Sequence, residues 1–260
     1  DQLPTIVQMG TPAGQVEGTD TVIAAGTVDA FCDQIVAGAD KPGDVLVVFG
    51  ATLIVWAVIS DWIDAPGLWT LPHSVSGLYL VGGPSNAGAL FVDWARSLLA
   101  SHASALPADP GRVPVWLPYL RGERSPFHDP SLRSSLHGLD LTHDPIALER
   151  AAYESSGFVI RHMLDRAGIE PARIVASGGG TRVAGWMQAV ADAAGVVVET
   201  AAVHEGAALG AAFFGRMAAG LESSLEPARE WARVGSRYEP DPRWVGPVAE
   251  RYGRFLDLNP

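Results

Sequence analysis

The sequence predicts an α/β fold, on three observations. Arg173–Ser177 is a short apolar strand, Gly178-Gly179-Gly180 a turn without side chains, and Val183, Trp186, Met187, Val190 and Ala194 recur at helical spacing after it. Val45–Ser60 is a β-branched run that splits at Gly50-Ala51-Thr52 into VLVVF and LIVWAVI, the pattern of a buried hairpin. Asp144-Pro145 opens a long helix that Gly168 ends near Ala167. Strands and helices therefore mix along the whole chain.

The bulk composition narrows the function classes. At 260 residues the chain has material for one large domain or two small ones. Lys+Arg number 18 and Asp+Glu 29, a net charge of −11 that argues against a nucleic-acid partner. An acidic surface still admits a nucleotide, because local N–H groups and a divalent cation handle phosphates. The single cysteine, Cys32, permits no internal disulfide and fits a reducing, cytoplasmic setting as a buried, inert thiol. Asp1-Gln2-Leu3-Pro4 lacks the basic region and apolar core of a signal peptide. The chain does not start with Met and reads as part of something longer. Asp44 and Asp61 bracket an uncharged run shorter than the roughly 20 residues a membrane-spanning helix needs.

In chain order, residues 1–21 are rich in Pro, Gly and Thr and read as extended chain with turns. Val22–Ala25 is an expected buried strand, Gly26-Thr27 a turn, and Asp29 begins a helix towards Ala37. A carboxylate at such a junction either caps the helix or reaches into a cleft at the carboxyl edge of a sheet, and the residues leave both readings open. The turn at Gly50–Thr52 either offers backbone N–H groups and the Thr52 hydroxyl to a phosphate or is only a turn. A further strand is expected near Leu78–Val81. The helix from about Asn86 is expected to carry Leu90, Trp94, Leu98 and Leu99 on one side. GPSNA imitates a nucleophile elbow around Ser85, but Ala87 holds the last glycine position and no strong apolar strand leads into it. Leu106–Gly111 reads as a loop, and Val115–Leu139 as a long irregular segment of the kind that serves a function or an interdomain contact. His128, His137 and His143 lack zinc-ligand spacing, so no metal ligands are assigned. The glycine turn at 178–180 either cradles a phosphate, since any Cβ would hold a ligand away from the backbone, or is a tight connection. Val196–Thr200 is a second strand, and His204–Gly220 a Gly/Ala-rich helix suited to close contact with neighbouring backbone or a flat ligand. The tail from Glu222 ends in an amphipathic helix.

Taken together, VIAAGTVDAFCDQIVAGADKPGD, FGATLIV, PYLRGERSPFHDP with HGL, ASGGGTRVAGWMQAVADAAG, EGAALGAAFFG and RYEPD fall in an order that resembles the C-terminal half of the FGGY family of carbohydrate kinases, xylulokinases and gluconokinases above all. The resemblance covers nearly the whole chain. It implies an actin-like ATPase (ribonuclease-H-like) α/β domain, with residues 1–21 connecting from an N-terminal lobe, 22–221 binding nucleotide and 222–260 packed on it as a tail. It implies transfer of the γ-phosphoryl group of ATP, with Mg²⁺, to a hydroxyl of a small sugar, a xylulose-like ketose as best guess. Asp29 matches the family's general base. Gly178, Gly179 and Gly180 match the glycine turn of the nucleotide site, Glu205, Ala208, Leu209 and Gly210 a second nucleotide motif, and Gly50, Ala51 and Thr52 the turn that meets the phosphates. The implied partners are ATP, the sugar and the N-terminal lobe, with a homodimer as a possible assembly and neither nucleic acid nor membrane. Without that lobe the piece is expected to be inactive. One departure stands out: the family carries threonine where this chain has Ala51. That leaves two other expectations, a weak or inactive nucleotide-binding regulator and an actin-fold ATPase that uses no sugar.

Overall fold

The computed structural model describes residues 5–99, 108–203 and 206–260. Asp1–Pro4, Leu106 at the start of the expected loop, and His204 and Glu205 of the expected last motif lie outside them. In chain order the elements are β1 (Pro12–Gln15), β2 (Val22–Ala24), α1 (Asp29–Ala37), β3 (Asp44–Phe49), β4 (Leu53–Ile59), β5 (Trp69–Pro72), β6 (Tyr79–Ser85), α2 (Ala89–Leu98), β7 (Val115–Leu117), β8 (Ser135–His137), α3 (Pro145–Ala167), β9 (Arg173–Ser177), α4 (Ala184–Ala194), β10 (Val198–Ala201), α5 (Gly206–Ala218), β11 (Val234–Tyr238) and α6 (Pro242–Leu258). Single 3₁₀ turns span Gly179–Arg182 and Glu226–Trp231.

A seven-stranded sheet in the order β11-β10-β9-β3-β4-β6-β5 forms the centre. β3, β9 and β10 run parallel, Val48 standing opposite Ser177 and Ala176 opposite Thr200. β4 returns antiparallel from β3, and β6 is antiparallel to β4 with Leu53 opposite Ser85. The carboxyl ends of β3, β6, β9 and β10 therefore reach the same edge. Being covered on both faces, the central strands are apolar at nearly every position, as the Val45–Ser60 run shows. Val45, Val47, Phe49, Val55 and Ile174 face one core together with Phe91, Phe158, Trp186 and Phe255 from α2, α3, α4 and α6. Leu46, Trp56, Val58, Leu80 and Val175 face the other side, with Phe31 and Ala37 of α1 against them. α1 and α5 pack on each other through Cys32, Ile35, Val36, Phe213 and Phe214. Each of these large side chains contributes about 1.5–3 kcal/mol by leaving water.

Asp144 caps α3 by accepting from the Ala147 N–H at 2.8 Å, and Gly168 closes it in the left-handed conformation. Glu154, fully buried on α3, accepts from Arg150 and from Arg251 of α6, while Arg150 also donates to Asp192 of α4. The Arg150 guanidinium lies 3.7 Å from the centre of the Trp244 ring. These paired charges fix three helices relative to one another.

Several expectations are corrected. Val22–Ala24 is a strand, yet it pairs only with β1 in a separate, partly exposed ribbon rather than lying buried in the main sheet. The helix near Asn86 begins at Ala89 and buries Phe91, Val92 and Ala95, leaving Leu90, Trp94 and Leu98 at 48, 39 and 59% exposure. Both sets have helical spacing, and tertiary contacts select between them. β5 and β11 are strands that the sequence pattern missed, because edge strands bury little and alternate weakly. β11 belongs to the segment expected as a tail and completes the main sheet. No described helix is long and apolar enough to cross a membrane.

Candidate active site

The carboxyl edge of the sheet gathers most of the expected site residues. At β3 the chain turns through Gly50-Ala51-Thr52. The Gly50 N–H donates to the Thr52 carbonyl at 3.1 Å, and the first N–H groups of α2, from Ala89 and Leu90, donate to the carbonyls of Gly50 and Ala51 at 2.9 and 3.1 Å. Gly88 allows this approach, since a Cβ there would fall 2.4 Å from the Thr52 carbonyl carbon. The turn is thus held from below, with Ala51 exposed at its tip.

The neighbouring strand β9 delivers the three glycines. Gly178 has φ 88°, and a Cβ on it would meet the Phe49 carbonyl oxygen at 2.9 Å; one on Gly180 would meet the Trp186 ring at 2.6 Å and Phe49 Cβ at 2.8 Å. Gly179 has nothing within 4 Å. Gly178 and Gly180 are glycines because Phe49 stands beside them, and Gly179 is the one open to an incoming group. Tight packing thus accounts for Gly178 and Gly180, while Gly179 leaves space that packing does not use. The Thr181 hydroxyl donates to the Gly178 carbonyl at 2.7 Å and closes the turn.

α1 brings Asp29 to the same edge. Its carboxylate is exposed at the first position of the helix and accepts from the Ala30 N–H at 2.8 Å. It sits at the positive end of the helix, where negative charge is favoured. One turn on, Asp33 is buried and accepts from the Ser177 hydroxyl, the residue before the glycine turn, at 3.0 and 3.2 Å. A Cβ on Gly206 would lie 1.8 Å from Asp33 Oδ1, so the start of α5 rests on that carboxylate. Burial pushes the Asp33 carboxyl above the usual range; the Ser177 hydrogen bond pulls it down and the Asp29 charge adds to the rise. Cys32 is buried, its thiol raised first by burial and then by the two aspartates.

The second motif divides. Ala208 is exposed, while Leu209 packs into the α1–α5 core. Gly210 is set by packing, because its Cβ would lie 1.9 Å from the Cys32 carbonyl oxygen. Glu205 lies outside the described residues.

At the end of β6, Ser85 donates its hydroxyl to Glu123 at 2.8 Å, and Glu123 also accepts from the N–H groups of Asn86 and Arg124 at 2.9 and 2.6 Å. The PYLRGERSP loop is thereby pinned to the same edge. Burial raises the Glu123 carboxyl despite these donors. The sequence hinted at this loop through its irregularity but not at its buried carboxylate. Asp33 was legible only as the second member of an i, i+4 pair in DAFCD. No grouping of three or more His, Cys, Asp or Glu able to hold a metal occurs among the described residues. A cleft of about 690 Å³ opens at the other end of α1, beside Gly38, Asp40, Met217 and Arg229. It is separate from the edge that carries Asp29.

A sequence model of the C-terminal domain of the FGGY family of carbohydrate kinases matches residues 45–219. The chain belongs to this family. Its relatives include the xylulose kinase of Escherichia coli strain K12, 29% identical over an alignment of 246 positions that covers 86% of this chain and 51% of that protein. The gluconokinase of Bacillus subtilis strain 168 is 26% identical over an alignment of 262 positions, gaps included, that covers 92% of this chain and 50% of that one. The structure of xylulose kinase from Rhodospirillum rubrum superposes with a TM-score of 0.81 at 28% identity, covering 98% of this chain and 56% of that one. Gluconate kinase from Lactobacillus acidophilus shares the fold with a TM-score of 0.86 at 24% identity, over 99% of this chain and 57% of that one. The fold is the actin-like ATPase fold of the FGGY kinases, and the chain spans about half the length of the curated relatives it matches. Asp29 and α1 precede the residues that the family model matches.

Proposed function

We propose that this chain is the ATP-binding lobe of a sugar kinase and that Asp29 is its general base. The observation that carries the reading is the convergence on one sheet edge of an exposed carboxylate, an open glycine and a buttressed phosphate-side turn. The residues fit a nucleotide: Gly179 leaves the backbone bare just past the end of a parallel strand, at the start of the 3₁₀ turn that leads into α4. ATP, with Mg²⁺, would supply the transferable phosphoryl group. Phosphoryl transfer asks the protein mainly for positioning, neutralisation of charge, and one base in reach. Asp29 would take the proton of the sugar hydroxyl as the sugar oxygen bonds to the γ-phosphorus and the bond from that phosphorus to the departing ADP oxygen breaks. The turn at Gly50–Thr52, through the N–H groups of Ala51 and Thr52, and Gly178–Gly180 orient the phosphates, and Ala208 lies towards the nucleoside. The sugar is read as a xylulose-like ketose, on the likeness to proteins named xylulose kinase. The N-terminal lobe is the partner that completes the cleft, and the setting is cytoplasmic.

The test is Asp29→Asn in the complete protein. Loss of a general base lowers the rate by about 10²–10⁴-fold. We expect a loss of that size in sugar-dependent ADP release, with an unchanged melting temperature. An Asp29→Asn variant of full activity removes the assignment.

Ala51 supports a second reading, a slow or non-catalytic nucleotide-binding relative, because its exposed methyl stands at the tip of the turn without a hydroxyl. One missing transition-state hydrogen bond lowers a rate by about 10²-fold or more. A rise of that order in Ala51→Thr identifies slow chemistry, whereas no activity on any sugar, with or without threonine, favours the regulator. ATP hydrolysis that no sugar accelerates would instead mark an ATPase.

A further inference from the structure

Asp33 has no task in the reading above, and its surroundings make it conspicuous. It is 7% exposed, one helical turn from Asp29 and on the same face, about 6 Å along the axis. Its hydrogen-bond donor is the Ser177 hydroxyl, and Gly206 has no side chain where its carboxylate lies. Three segments therefore meet at one carboxylate: the helix that carries Asp29, the strand that enters the glycine turn, and the first residue of α5. Packing alone does not call for this. Phe31, Cys32, Ile35 and Val36 beside it already join α1 to the cores. A carboxyl group in such a place is unfavourable to ionise, as its upward shift by burial and by Asp29 shows, and an apolar residue of like size would serve stability as well or better.

We propose that Asp33 is a positioning residue whose hydrogen bond with Ser177 sets the distance and angle of Asp29 to the nucleotide turn. The proposal rests on the reading of Asp29 as the base. Ser177 is followed directly by Gly178, whose carbonyl holds Thr181, so the bond acts on the turn itself. Asp33 touches neither phosphate nor sugar. It acts through the rigid turn of helix between itself and Asp29, and through the backbone between Ser177 and Gly179. A base displaced by a fraction of an ångström to an ångström loses rate far more than it loses binding.

The experiment compares Asp33→Ala, Ser177→Ala and Asp33→Asn in the complete protein. Asp33→Ala and Ser177→Ala are expected to lower kcat by about 10-fold or more while the KM for the sugar stays within about twofold. Asp33→Asn keeps an acceptor for Ser177 and is expected to restore most of kcat. A folded Asp33→Ala and a folded Ser177→Ala that both keep wild-type kcat overturn the proposal, as does an Asp33→Asn no better than Asp33→Ala. Should the wild-type protein phosphorylate no sugar, the reading of Asp29 fails on its own. The clamp is then read by amide hydrogen exchange. Faster exchange at Gly178–Val183 in Ser177→Ala supports it, and unchanged exchange there overturns it.

Discussion

Single residues in this chain divide by whether their environment uses charge or excludes it. Asp29 is exposed at a helix start, Asp33 is buried one turn away, and the same side chain serves two ends. His73 is a second case of exclusion. Its Nδ1 accepts from the Val75 N–H at 2.8 Å and its Nε2 faces the Ala39 carbonyl at 3.1 Å, the pair of contacts that suits a neutral ring with its proton on Nε2. Burial lowers its pKa, with Ala39 and Asp40 acting in the opposite direction, and burial lowers that of His162 as well. The unfolded chain takes up a proton near pH 6.5 that the folded protein refuses, so stability is full above that pH and falls as pH drops below it. Urea unfolding between pH 8 and 5.5 should show this decline, and His73→Gln should make it shallower. A decline equally steep in the variant counts against a neutral His73.

At the level of elements, glycine marks where segments touch. Gly180 and Gly210 stand against Phe49 and the Cys32 carbonyl, whereas Gly179 stands against nothing within 4 Å. Gly210→Ala and Gly180→Ala should each destabilise the fold by about 1–3 kcal/mol, read as a lower melting temperature. Gly179→Ala should melt as the native chain does and bind an ATP analogue more weakly, because only there does a methyl group meet the ligand rather than the protein. Equal analogue affinity in Gly179→Ala would count against the cradle. α2 teaches the complementary point. Phe91, Val92 and Ala95 are its buried face although Leu90, Trp94 and Leu98 make as good a stripe, since the turn at Gly50–Thr52 grips its first residues and fixes its rotation.

The whole molecule presents its candidate site on an edge rather than in a closed pocket, and it matches about half the length of its curated relatives. On the function proposed above, such a lobe would hold nucleotide without all the groups needed to receive the phosphoryl group. We expect the 260-residue chain to bind an ATP analogue in calorimetric titration and to release no ADP with any sugar until the N-terminal lobe is supplied. Sugar-dependent turnover by the chain alone would show that the lobe carries a full site.

The sequence by itself determined the hairpin at Val45–Ser60, the glycine turn with its strand and helix, the capped helix from Asp144, and the family. Each is a local pattern: a period, a cap or a motif within a few dozen residues. It also marked Asp29 at its helix start. Only the tertiary structure decided which face of α2 is buried, that β5 and β11 complete the sheet, and which of the three glycines is open. Those depend on what stands opposite, which no local period records. The same holds for Asp33: in DAFCD it is one more acidic residue on a helix, and only the approach of Ser177 and Gly206 makes it a buried joint between the candidate base and the nucleotide turn.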